Sequence, residues 1–221
     1  LPIAAGGAEP VADRRTSLSG LDVRRGDGVA PRVDGIRVAI YVACDGSALR
    51  NPGPAGWAWY STEECWAAGG EAHSTNQRME LTAVLELLRS TAHLPLDTEI
   101  VLVLDSTYTR DSLTKWIHGW LRNGWVNSKK QPVANRDLIE PAYQMLRERT
   151  GISFEWVKGH AGHPLNSKAD EKCTAVSAAF SAGLPIPAGP GWTIGGPPPA
   201  RASEPNADQS DGLFPADADW S

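Results

Sequence analysis

Cysteine is scarce in this 221-residue chain: the three present, Cys44, Cys65 and Cys173, are odd in number, widely spaced and never in a CxxC pair. That excludes a disulfide framework and a cysteine-based zinc site, and it fits a reducing cytosol. Long hydrophobic runs are also missing, so no membrane span is expected, and the first residues scatter Asp and Arg where a secretion signal needs an apolar core. No internal repeat is visible, which sets aside solenoids and arrays. Large apolar residues are rare outside a central stretch. Residues 1–35 and 183–221 are dominated by Gly, Pro, Ala, Asp and Arg; they are expected to be a disordered extension and a disordered tail, because they cannot bury enough surface to offset the entropy of ordering. The stretch 36–182, rich in Val, Leu, Ile and Trp, is the expected domain.

An excess of positive charge is lacking too, for the net charge is -5. Spread evenly, that would argue against a nucleic-acid partner, but it is not even. Residues 1–35 balance five Arg against five acids, and the C-terminal tail sets Arg201 against Glu204, Asp208, Asp211, Asp217 and Asp219. Within the domain, Arg110, Lys115, Arg122, Lys129, Lys130 and Arg136 face Asp111 alone, a local patch of the kind a phosphate backbone meets.

What is present has clear periodicity. Ile36, Val38, Ile40, Val42 and Cys44 alternate with other residues as in a one-sided strand ending at Asp45. A Gly/Pro turn leads to two aromatic runs, Trp57 to Tyr60 and Cys65 to Ala68, read as a hairpin. After the capping residues Ser74, Thr75 and Asn76, the residues Leu81, Val84, Leu85 and Leu88 recur at helical spacing. Ile100 to Leu104 is a buried central strand ending at Asp105. Helices over about 107–116 and 135–149, a strand over 152–157, a loop over 159–164 and a helix over 166–180 complete the domain. Strands alternating with helices after an initial meander predict an α/β fold, a mixed sheet with helices on both faces.

Asp45 and Asp105 sit at strand ends, where sites form in open sheets. Glu80 near the start of a helix and Asp170 on the final helix can project to the same place. Carboxylates within about 5 Å repel by roughly 3 kcal/mol per pair at an effective dielectric of 20; divalent cations remove that conflict, and Mg2+ prefers such oxygen ligands. Two ions would activate a water and stabilise an in-line displacement at phosphorus. His160, with its near-neutral pKa, would shuttle a proton. Taken singly each residue has a plainer reading, as turn, cap or solvated position.

Together they resemble ribonuclease HI. The matching segments stand in the family order: Tyr41-Val42-Ala43-Cys44-Asp45-Gly46-Ser47 with Asn51-Pro52-Gly53-Pro54, Thr75-Asn76-Gln77-Arg78-Met79-Glu80-Leu81, Asp105-Ser106 with Tyr108, and Trp156-Val157-Lys158-Gly159-His160-Ala161-Gly162-His163 before Asn166 and Asp170. The resemblance implies a ribonuclease H-like fold with a five-stranded mixed sheet. It implies an endonuclease that hydrolyses the RNA strand of RNA-DNA hybrids, leaving 5'-phosphate and 3'-hydroxyl ends. Asp45, Glu80, Asp105 and Asp170 are then the ligands of two Mg2+ ions, with Mn2+ able to substitute, and His160 assists turnover. Asn51, Asn76, Gln77 and Asn166 are expected to contact the hybrid, and Asn135 a DNA phosphate. Trp116, Trp120 and Trp125, interleaved with Arg122, Lys129 and Lys130, look like the family's basic protrusion; Trp116 and Arg122 are its expected substrate contacts, while Trp120 is expected to pack its base. Thr107 departs from the family, which usually has Gln after Asp-Ser, and Leu121 and Asn123 make the protrusion less basic than in some relatives.

In the tail, Gln209, Leu213 and Phe214 are loosely similar to peptides that dock on bacterial sliding clamps, with a departing spacing. A weak clamp contact through them, a monomeric state and a cytoplasmic location complete the expectations. Three alternatives stand beside this reading. A hybrid-binding module that had lost catalysis should lack a carboxylate. Among other nucleases of the superfamily, a proofreading exonuclease should carry Asp-x-Glu where this chain has Asp45-Gly46-Ser47, and an integrase would not need the histidine loop with the tryptophan protrusion. The third is the ribonuclease H portion of a larger polyprotein or fusion.

Overall fold

The computed structural model describes residues 23–25 by backbone, and residues 39–159 and 162–194 in full. The strands are β1 (Val23–Arg25), β2 (Ile40–Ala48), β3 (Gly53–Thr62), β4 (Cys65–Ser74), β5 (Ile100–Leu104) and β6 (Ile152–Trp156). The helices are α1 (Asn76–Ser90), α2 (Thr107–Asp111), α3 (Ile117–Asn123), α4 (Arg136–Glu148) and α5 (Pro164–Ala182), with a π-helical turn, Ser112–Trp116, joining α2 to α3. The sheet order is β1-β6-β5-β2-β3-β4. The meander β2-β3-β4 is antiparallel, whereas β5 runs parallel to β2, β6 to β5 and β1 to β6. The expected five-stranded mixed sheet is therefore present as β2 to β6, and a three-residue strand joins its edge.

Two layers cover the sheet. On one face the apolar stripe of α1, including Leu81, Leu85 and Leu88, packs with Ile139 of α4 onto Trp59, Leu102 and Phe154, all within the largest buried cluster. Each such Leu contributes roughly 2 kcal/mol by leaving water. On the other face α5 meets smaller residues: Ala169 joins Ala43, Tyr60 and Val103, and Cys173 and Val176 join Ala58 and Ala68. Small residues let this helix lie close. A Cβ on Gly56 would collide with the Cys173 carbonyl oxygen and Val176. The helix ends obey local chemistry: the Thr75 side chain accepts from Arg78 N at the start of α1, and Pro164 opens α5, which closes at Gly183 with φ 66°.

Several boundaries differ from the sequence reading, the hairpin strands and the last helix being longer than expected, and three of the differences bear on the site or the domain edge. The strand that carries Asp45 continues to Ala48, with Asp45 paired opposite Ala58, because Gly46-Ser47 stays in the ladder instead of turning. The helix after Asp105 does not stop at Trp116 but passes through the π turn to Asn123. The domain also continues past 182. Ala68 N donates to Ala188 O at 3.0 Å, Gly191 N to Trp66 O at 3.0 Å, and Trp192 lies 1% exposed beside Trp59. A tail beginning at 183 is therefore corrected to one that begins no earlier than Gly195. Most of the expected N-terminal extension, and the peptide of Gln209, Leu213 and Phe214, fall outside the described residues. Among the described residues no helix is long and apolar enough to cross a membrane.

Candidate active site

Asp45 stands on β2 beside β5, whose last residue, Leu104, precedes Asp105; the parallel pairing of the two strands sends both carboxylates to the same end of the sheet. Gly46 lets the third one in. A Cβ on Gly46 would run into the Glu80 backbone nitrogen and Met79, so only glycine allows the first turns of α1 to lie directly on β2. From the opposite face α5, admitted by Gly56, brings Asp170. The oxygens of Asp45 and Asp170 and the Cys173 sulfur lie within 4.8 Å of one another. All four predicted carboxylates are thus brought together, each from a different element.

The electrostatics follow from that crowding. Asp45 is buried, and its pKa is pushed up to about 8, first by loss of water, then by Asp105, with Asp170 and Glu80 adding to it; the Gly46 N–H, donating at 2.7 Å, works against the shift. Burial also raises Glu80, with Asp105 adding to it, while the hydroxyls of Ser106 and Thr109 oppose the rise by donating to its Oε2. Asp105 is steadied on two sides. Asn166 Nδ2 donates to its Oδ2 at 3.1 Å, and the Trp156 indole donates to its backbone oxygen at 3.0 Å. Burial, then Asp45 and Asp170, drive the Cys173 thiol upward, so it stays protonated and unsuited to a hard cation. Crowded carboxylates, with Asp45 buried among them, form a hard-oxygen donor set of the kind that suits a divalent cation.

The remaining predicted residues take varied places. His160 lies outside the described residues. Gly159, the residue before it, lies at the site, since a Cβ there would be 3.0 Å from Asp105 Oδ2. Asn51 Oδ1 accepts from Asn76 N at 3.2 Å, so these two are neighbours, and Gln77 beside them is exposed. Asn166, expected to touch substrate, is 6% exposed, and its amide nitrogen donates to Asp105, orienting that carboxylate. Asn135 caps α4 with φ 57° and donates to the Tyr108 hydroxyl at 3.2 Å. Tyr108, Trp116, Trp120 and Trp125 follow one another with ring centroids 5.9 to 6.2 Å apart, ending under Arg136. Trp116 is exposed at 43%, whereas Trp120 stacks on the buried Trp125, as its packing role predicts. Arg122, Lys129 and Lys130 are exposed around this ladder.

Sequence reasoning missed Ser106 and Thr109 as partners of Glu80, although Ser106 carries a visible signal: a serine directly before a helix is an N-cap. Nothing in the sequence pointed to Cys173 at the carboxylates.

Comparison with known proteins agrees with this geometry. The RNase H family model matches residues 37–178. Ribonuclease H of Tropheryma whipplei (strain Twist) is 43% identical over 154 residues, covering 70% of this chain and 94% of that protein. Ribonuclease HI of Neisseria meningitidis serogroup B is 43% identical over 145 residues, covering 64% and 97%. Among solved structures, a type 1 RNase H with the type 2 active-site motif aligns with a TM-score of 0.53 at 27% identity, over 69% of this chain and 76% of its own. A foamy viral protease-reverse transcriptase solved in complex with RNA/DNA hybrid shares the fold, with a TM-score of 0.55 at 21% identity over 75% of this chain and 24% of its own. With four carboxylates from four elements at one end of a mixed sheet and a family match across them, this chain belongs to the RNase H family.

Proposed function

We propose that this chain is a magnesium-dependent endonuclease that cuts the RNA strand of RNA-DNA hybrids and leaves 5'-phosphate and 3'-hydroxyl ends. The observation that carries the reading is the convergence of Asp45, Glu80, Asp105 and Asp170, with Asp45 so destabilised as an anion that a cation is needed to keep the set ionised at neutral pH. These four residues would hold two Mg2+ ions, with Mn2+ able to replace them. When bound, such a pair supplies an activated water and charge neutralisation at phosphorus and at the leaving 3'-oxygen.

The chain's own residues do the rest. Asp45, central and buried, accepts from the Gly46 amide and so presents a fixed carboxylate. Ser106 and Thr109 hold Glu80, and Asn166 holds Asp105, which limits the reorganisation needed on loading. Asn76 and Gln77 precede Glu80 on α1, and Asn51 accepts from Asn76 N; this group would meet the ribose 2'-hydroxyl that tells RNA from DNA. Asn135, Trp116 and Arg122 would receive the DNA strand, and His160 would carry a proton between the site and solvent. A cytoplasmic monomer and a weak sliding-clamp contact through Gln209, Leu213 and Phe214 belong to the same reading.

The test compares wild type with Asp45→Asn on an end-labelled hybrid, with single-stranded RNA, duplex RNA and duplex DNA as controls, with Mg2+ or EDTA. Internal cleavage of the hybrid's RNA alone, with Mg2+ alone, together with an Asp45→Asn protein that binds and does not cut, is the expected result. Wild type that binds hybrid and never cuts would leave a binding module instead.

A further inference from the structure

α1 and α4 carry the two halves of the proposed substrate grip: Asn76, Gln77 and Glu80 on the first turns of α1, and Asn135 at the cap of α4. Their first turns are joined side to side by one ion pair. Arg78 reaches across with both ends of its fork, Nη1 to Asp137 Oδ1 at 3.1 Å and Nη2 to Oδ2 at 2.7 Å, while its Nε faces Glu71 of β4 at 3.7 Å. Asp137 lies two residues after Asn135, in the first turn of α4. The pair is exposed, with Arg78 at 31% and Asp137 at 59%, and exposed pairs add little to global stability. A bidentate fork does something a point contact does not: it fixes the direction as well as the distance between the groups it joins. Here the groups are the entries to two helices, one on the RNA side of the site and one on the DNA side.

We propose that Arg78 is a positioning residue, which through Asp137 braces the start of α4 against the start of α1 and so sets the spacing between the RNA-strand and DNA-strand contacts. The inference rests on the RNase H reading above. A brace of this kind acts on the fit of a two-stranded substrate and leaves the reacting groups alone, so it shows in KM and in hybrid affinity, with kcat preserved. It also makes the two partners interdependent: once either side chain is gone, losing the other changes nothing further.

The experiment measures kcat and KM on a hybrid for wild type, Arg78→Ala, Asp137→Ala, the double variant and Arg78→Lys, with thermal unfolding of each. Hybrid affinity is measured separately for the same changes in an Asp45→Asn background. The expected result is a rise in KM and Kd of about fivefold in each single variant, no further rise in the double variant, a smaller rise in Arg78→Lys, and kcat within about twofold of wild type. KM unchanged in both single variants overturns the brace, as do single effects that add. So does restoration of KM by Asp137→Ala in an Arg78→Ala chain, since the carboxylate's charge, and not the spacing, would then be what Arg78 controls. Wild type that fails to cut the hybrid removes the activity reading and this inference with it; normal cutting by wild type, with single variants matching it in KM and Kd, removes the brace alone.

Discussion

At the Asp45 end of β2, four carboxylates are packed together with little but one backbone amide, two hydroxyls and one side-chain amide to hold them. At the outer edge of the same sheet, residues Ala188 to Ile194 run beside β4, their backbone bonded to Ala68 and Trp66 and Trp192 driven in beside Trp59. One region crowds like charge; the other buries an indole and closes a strand edge. The first works against the folded state and the second supports it, so packing at the edge offsets an unfavourable electrostatic arrangement at the carboxylates. Changes in the two regions should therefore move activity and stability in opposite combinations.

Asp45→Asn should separate the two regions most strongly. Cleavage should fall by about a thousandfold or more, as for removal of a central element of a preorganised site, while hybrid binding persists. In the same variant the metal-free protein should become more stable near pH 8, because a neutral amide replaces a carboxylate that burial and three other acids disfavour. A gel assay and a melting curve on one preparation read both signs. A variant that lost activity and stability together would contradict the division.

Trp192→Ala is the opposite case. Truncating a buried Trp costs about 3 to 5 kcal/mol, which for a domain of this size corresponds to a fall in melting temperature of roughly 10 °C. Activity well below the transition should be close to wild type. Ending the chain after Ala182 should cost at least as much and also free the outer edge of β4, promoting association. Size-exclusion chromatography and thermal unfolding measure both.

This edge is also where the sequence was least legible. Trp192 sits between Gly-Pro-Gly and Thr-Ile-Gly-Gly, a context with no period and few apolar residues, so composition alone assigns it to a linker. Its burial depends on a long-range partner, Trp59, some 130 positions away, and no local pattern encodes that. The carboxylates are the reverse. Asp45 is marked by the apolar strand that carries it and Asp105 by the one that precedes it, Glu80 by a capped amphipathic helix and Asp170 by the helical spacing of Ala169, Cys173 and Val176. The local order was legible even where a boundary was not: Gly46-Ser47 looked like a turn, yet it continues the ladder because glycine at 46 is needed for the approach of α1. The role of Asn166 could not be read either, since its partner Asp105 is 61 residues earlier and on another element.

The pH dependence gives a smaller, graded test. Asp45 has a folded pKa of about 8, above the ordinary carboxylate value near 4, so the native protein binds the extra proton between these limits. Its contribution to stability is full below about pH 4 and is lost as pH rises through about 8. In EDTA the melting temperature of wild type should thus decline across that window relative to Asp45→Asn, and Mg2+ should remove most of the difference. Parallel curves for the two proteins in EDTA would mean that the carboxylate is not held in the folded site as its burial requires.

The smallest effect separates the hydroxyl support of Glu80 from the proposed metal ligands. Thr109 is fully buried, and its Oγ1 donates to Glu80 Oε2 at 3.2 Å; Ser106 donates to the same oxygen and also caps α2. Thr109→Val keeps the shape and removes one donor, leaving the cap intact. Glu80 then keeps only the Ser106 hydroxyl against the upward push of burial and Asp105, so its anion is less favoured and less firmly aimed. One lost hydrogen bond to a charged group is worth about 1.5 to 3 kcal/mol at most, and the remaining hydroxyl and the bound cation recover part of it. The Mg2+ concentration for half-maximal cleavage should therefore rise a few-fold, with the rate at saturating Mg2+ near wild type. A lower saturated rate with no change in the Mg2+ midpoint would place Thr109 in the chemistry and not in the preparation of the metal site.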